Sequence, residues 1–95
     1  MRKVTLDLTR FENKISLHSY LKEALQFPFY YGANLDALHD ELTSEMNAVH
    51  IIVCYPAQPR GMMTDYLPKV LDVFQDAARE NYHLEIEFHE VPECC

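Results

Sequence analysis

The chain has 95 residues, 48% of them hydrophobic, and a formal net charge of −7. That is enough for one hydrophobic core and too apolar for a disordered chain, while no apolar run reaches the roughly 20 residues of a bilayer-spanning helix. Between Lys22 and Arg60 there is no lysine or arginine, whereas Glu23, Asp36, Asp40, Glu41 and Glu45 all fall there; this argues against direct attachment to nucleic-acid phosphates and favours a basic partner.

The opening MRKVTLDLTR puts Asp7 and Arg10 where a secretory leader needs an apolar centre, so a cytoplasmic protein is expected. Val4, Leu6 and Leu8 alternate with Thr5, Asp7 and Thr9, the period of a half-buried strand. Ser16 reads as the N-cap of a first helix, with Ile15 stapled onto Tyr20. Leu17, Leu21, Ala24 and Leu25 form its apolar stripe, which ends before Pro28. Tyr30 and Tyr31 fall in a short loop in which Gly32 supplies a flexible backbone point. Asn34 then caps a second helix. Its Leu35, Leu38, Leu42 and Met46 are expected to face the core, and its Asp36, His39, Asp40 and Thr43 to face away.

Val49 to Cys54 is a β-branched run of strand length. The loop YPAQPRGMM follows, then a helix from about Asp65 to Glu80 with Leu67, Val70, Leu71, Phe74 and Ala78 as its stripe. Pro68 suits only a first turn, which moves the expected start toward Leu67. Leu84, Ile86 and Phe88 alternate with Glu85, Glu87 and His89 in a last half-exposed strand. The order β-α-α-β-α-β predicts an α/β fold with a three-stranded parallel sheet and right-handed crossovers. Helices are expected mainly on one face of the sheet and water on the other. A single domain is expected over residues 1–95, with a short flexible tail from about residue 90. Strand order does not follow from the pattern.

Enzyme motifs are largely absent. With only Gly32 and Gly61 there is no phosphate loop, and neither G-x-S-x-G nor H-E-x-x-H occurs. Cys54 ends an apolar run and reads as a buried thiol; Cys94 and Cys95 are adjacent at the C-terminus and lack the spacing of a disulfide framework or a zinc site. Asp36, His39 and Asp40 share a helix face and offer one alternative, a small metal-dependent hydrolase. That site would need ligands from another element, and an acid–base pair would need a nucleophile and a cleft; neither is evident. The expectation is therefore no enzyme, no cofactor and no metal. Two aspartates one turn apart repel by a few tenths of a kcal/mol, so stability gives no reason to place them, and a cationic partner does. Adjacent tyrosines in a loop point in different directions, so one is expected in the core and the other on a binding surface. Asp72 and Asp76 repeat the acidic spacing on the last helix, partly offset by Lys69 and Arg79.

The segment FPFYYGANLDALHDELT, Phe27 to Thr43, resembles the barstar motif LPxYYGxNLDALxDxLT, and Val70 to Ala77 resembles the helix before the last strand in that family. Barstars are intracellular inhibitors of the secreted ribonuclease barnase. The resemblance implies a barstar-like fold over almost the whole chain, and an inhibitor of a barnase-like microbial ribonuclease or related nuclease toxin. It implies a partner surface of Tyr30, Asn34, Asp36, His39, Asp40, Thr43 and Asp76. Tyr30 matches the tyrosine packed on the nuclease's catalytic histidine, and Asp36 and Asp40 match carboxylates facing its arginines and lysine. Asp40 takes the dominant position, and Asp76 stands where the family has a glutamate. Departures are His39 in place of a tryptophan, and Ser44 and Glu45 in place of a glycine and a second tryptophan. They imply altered specificity or a different basic nuclease toxin. No nucleic acid or membrane contact is implied, and the free protein is expected to be a monomer. The alternative is a barstar-like binding, immunity or regulatory module for another basic protein, without ribonuclease inhibition.

Overall fold

Parallel strands cannot be joined by tight hairpins; each needs a crossover of a dozen or more residues, and this chain supplies two. The computed structural model describes residues 2–11, 13–59, 61 and 63–91. In chain order the elements are β1 (Arg2–Asp7), α1 (Lys14–Ala24), α2 (Leu35–Thr43), β2 (Val49–Pro56), α3 (Met63–Glu80) and β3 (Leu84–Val91). All pairings are parallel and the sheet order is β1-β2-β3, which resolves the order that the pattern left open.

The register aligns Val4 with Ile51 and Ile86, and Leu6 with Val53 and Phe88. Because side chains alternate, one face gathers Leu6, Val49, Ile51, Val53 and Leu84, all buried. Both crossovers step in the same direction, so right-handed connections put their helices over that same face. Leu17, Leu21, Leu38, Leu42, Val70 and Phe74 complete the core from the helices. The opposite face carries Lys3, Thr5, His50, Ile52, Cys54, Glu85, Glu87 and His89, exposed or half-buried. Cys54 is thus a half-buried thiol, contrary to the buried one expected, because it alternates with Val53 and points away from the helices. β3 includes Glu90 and Val91, so the expected tail begins too early; residues 92–95, with Cys94 and Cys95, lie outside the described residues.

Three helix boundaries differ from expectation. Asn13, not Ser16, caps α1: the Asn13 side chain accepts from the Ser16 backbone N–H at 2.8 Å. Ser16 is therefore the third helical residue, and Ile15 is exposed without a staple. Tyr20 instead packs against Phe11 at 5.0 Å between centroids, and its hydroxyl accepts from the Asp7 N–H at 3.0 Å. The far end of α1 closes with a Schellman motif without glycine. Phe27 N donates to Lys22 O at 2.9 Å and Gln26 N to Glu23 O at 3.3 Å, with Gln26 left-handed at φ 58°.

α3 starts at Met63, which places Pro68 sixth in the helix. Proline there forfeits a backbone hydrogen bond and crowds the preceding turn. Burial of Met63, Tyr66 and Leu67 outweighs that local cost, while the Pro68 ring itself faces solvent. Finally, α2 stops at Thr43, so Met46 lies beyond it and is 81% exposed instead of in the core.

Candidate functional site

The loop before α2 is anchored from below by an imidazole. His18 is buried, and both its ring nitrogens meet phenols: Nδ1 lies 2.7 Å from the Tyr31 hydroxyl and Nε2 lies 2.6 Å from the Tyr66 hydroxyl. A neutral imidazole has one donor and one acceptor, so one tyrosine donates to the ring and the other accepts from it. The bridge ties α1, the loop and α3 together. Tyr31 also packs on Phe27, with centroids 4.8 Å apart. Burial pushes both phenols up and holds His18 below the usual histidine range, with the Lys14 charge adding to the latter.

That depression has a testable sign. The unfolded chain takes up a proton at His18 near 6.5, while the folded chain resists it. Stability from neutral His18 is complete above that value and is lost as pH falls through the lower folded value. Thermal melts across roughly pH 5 to 8 should show Tm falling on the acid side, and His18→Gln should flatten that fall.

Above the anchor the chain turns tightly. The left-handed residue is Ala33, at φ 53°, rather than Gly32. Gly32 serves close approach instead: a Cβ there would lie 3.2 Å from the Ala37 Cβ. Asn34 caps α2 as expected, accepting from Ala37 N at 2.7 Å and donating to Gly32 O at 3.3 Å. Tyr31 is 8% exposed and Tyr30 is 71% exposed, the expected division between core and surface. Phe29 is 88% exposed and stands edge-on to Tyr30 at 5.5 Å. It escaped the reading of the sequence, although an apolar residue beside an exposed loop tyrosine was the available sign.

Along α2, Asp36 and Asp40 are exposed, while His39 and Thr43 are half-buried. Asp36 stands in the first turn, where the helix dipole favours a carboxylate. Asp40 stands in the last turn, where the dipole disfavours one. Among the described residues neither carboxylate makes an ion pair or hydrogen bond. The Thr43 and Ser44 hydroxyls donate instead to the Asp40 backbone carbonyl, at 3.2 and 2.7 Å.

The neighbouring end of α3 adds two groups. Asp76 is exposed and paired with Arg79 one turn on, so its charge is locally offset. Glu80 accepts from His39 Nε2 at 2.5 Å across the α2–α3 contact. Glu80 was missed, because its partner is 41 residues away and no local spacing reports such a pair. Asp36, His39 and Asp40 form no three-donor metal cluster, and no helix is long and apolar enough to cross a membrane, among the described residues.

The surface is therefore an acidic helix with exposed aromatic rings at its entrance. The family described as Barstar (barnase inhibitor) matches residues 1–92. This chain belongs to the barstar family. It is also similar to a protein of Bacillus subtilis (strain 168) named "Putative ribonuclease inhibitor YrdF", at 41% identity over 81 residues, or 84% of this chain and 89% of that one. The three-stranded parallel sheet with its helices on one face agrees with a barstar fold.

Proposed function

We propose that this barstar-family chain inhibits a basic, barnase-like microbial ribonuclease by covering its active site. The contact surface is Tyr30, Asn34, Asp36, His39, Asp40, Thr43 and Asp76. Asp40 stands in for a substrate phosphate, since a carboxylate meets an arginine fork through two parallel hydrogen bonds much as a phosphate does. Asp36 adds charge beside it, and Tyr30 supplies rigid area. Asn34 has its oxygen engaged in the cap, leaving one amide hydrogen for a partner. Nothing is transformed, so no cofactor is needed, and a cytoplasmic monomer suffices.

The observation that carries this reading is the Asp40 carboxylate. It is exposed, repelled by Asp36, disfavoured by its own helix dipole and unpartnered among the described residues. Its placement costs the free protein stability, and a cation from outside is what would offset that cost.

Opposite charges steer encounter, and salt screens them. The association rate with barnase should fall by on the order of tenfold or more from low to high ionic strength, with dissociation changing much less. Stopped-flow binding measures this; a salt-independent association rate would sink the steering role of α2. Assaying RNA cleavage with and without the protein separates inhibition from mere docking on a basic protein.

A further inference from the structure

The turn between α3 and β3 is fastened to the end of α2 by one buried amide. Asn81 Nδ2 donates to the carbonyls of Leu42 at 3.0 Å, Thr43 at 3.4 Å and Glu45 at 2.9 Å. Its Oδ1 accepts from the His83 N–H at 3.0 Å. Leu42 and Thr43 are in the last turn of α2, whose carbonyls lack intrahelical partners, and Glu45 lies just beyond its C-cap Ser44. One residue before Asn81, Glu80 reaches His39 on the outward side of α2. One residue after it, Tyr82 is 89% exposed, its ring held against His83 with centroids 4.3 Å apart. Met46 follows directly on the Glu45 carbonyl that Asn81 holds, and it too is exposed.

Two large apolar side chains thus project from backbone that Asn81 locks together, at the C-terminal rim of the acidic surface. Neither gains burial from folding. Aromatic residues and methionine are enriched in interfaces, and apolar contacts that exclude water around a charged centre strengthen it. We infer that Tyr82 and Met46 form a second contact zone for the same basic ribonuclease, with Asn81 as its positioning residue. The zone closes the C-terminal side of the acidic surface as Phe29 and Tyr30 close the other. Glu45 and Glu80 flank it, so the surface repels nucleic acid and anionic membranes and suits a protein with an apolar ledge beside a basic cleft.

This inference rests on the proposed ribonuclease target, and the test keeps the two apart. Barnase is the probe, and the variants are Tyr82→Ala, Met46→Ala, their double and Asp40→Ala, all in the full chain. The double variant is expected to raise Kd about tenfold or more through faster dissociation, with an unchanged Tm. If Asp40→Ala loses inhibition while the double variant matches the parent, the second zone is overturned and the reading of α2 stands. If the parent inhibits neither barnase nor another basic barnase-like ribonuclease, or Asp40→Ala inhibits as well as the parent does, the functional reading falls and the second zone falls with it. Sedimentation showing a dimer that Tyr82→Ala dissociates would assign the patch to a second copy of this chain, and would also overturn it.

Discussion

Tyr31→Ala is expected to cost about 3–5 kcal/mol of stability, and Tyr30→Ala less than about 0.5 kcal/mol. The two residues are adjacent, of one type and in one loop, so the contrast isolates burial. Tyr31 is 8% exposed, packs on Phe27 and meets His18; Tyr30 is 71% exposed and touches Phe29 edge-on. Removing the Tyr31 ring leaves a cavity and strands a buried imidazole nitrogen, which adds its own penalty. Tyr31→Phe keeps the ring and removes the hydroxyl, so it should cost about 1–3 kcal/mol. Binding should invert the order: Tyr30→Ala weakens the complex at full stability, while Tyr31→Ala acts mainly by lowering the folded population. Urea melts beside barnase titrations decide it. Equal destabilisation by both alanines would remove Tyr30 from the surface.

The sequence carried what is local. Alternation at Val4, Leu6 and Leu8, and again at Leu84, Ile86 and Phe88, identified which face of each strand is buried, because a period of two admits no other arrangement. Asn34 was legible as a cap, and the acidic face of α2 followed from helical spacing. Strand order was not legible, since the pattern says which way a side chain points and not which strand lies alongside. Asn13 and Ser16 are comparable caps three residues apart, and the choice rests on packing of the whole helix. Pro68 misled in the same way: a local preference for a first turn yields to burial of Tyr66 and Leu67. The contacts that join α2 to the end of α3 were hidden for another reason. Glu80 meets His39 from 41 residues away, and Asn81 holds Glu45 from 36 away. Such pairs exist only once α2 and α3 are side by side.

Asp40→Ala should leave the free protein as stable or slightly more so, by ~0.2–0.5 kcal/mol, while weakening binding by more than ~2 kcal/mol. Its neighbours at i±3 and i±4 are Asp36, Ala37, Thr43 and Ser44, none of them cationic. The hydroxyls of Thr43 and Ser44 bond to the Asp40 backbone carbonyl, which alanine keeps, so truncation loses no internal hydrogen bond of the carboxylate among the described residues. It relieves repulsion with Asp36 and removes a negative charge from the negative end of the helix dipole. In the complex the balance reverses. A carboxylate desolvated against arginine or lysine leaves those cations buried and unpaired when it is removed, and that penalty exceeds any stability gained. Asp40→Asn should fall between, since it keeps the shape and one acceptor but no charge. A residue placed for stability would show the contrary pattern, a lower melting temperature with unchanged affinity. Thermal melts and competitive ribonuclease inhibition on the same preparations separate the two. If Asp40→Ala inhibits barnase as well as the parent does, occlusion by the acidic helix is wrong for this chain even though its fold is that of the family.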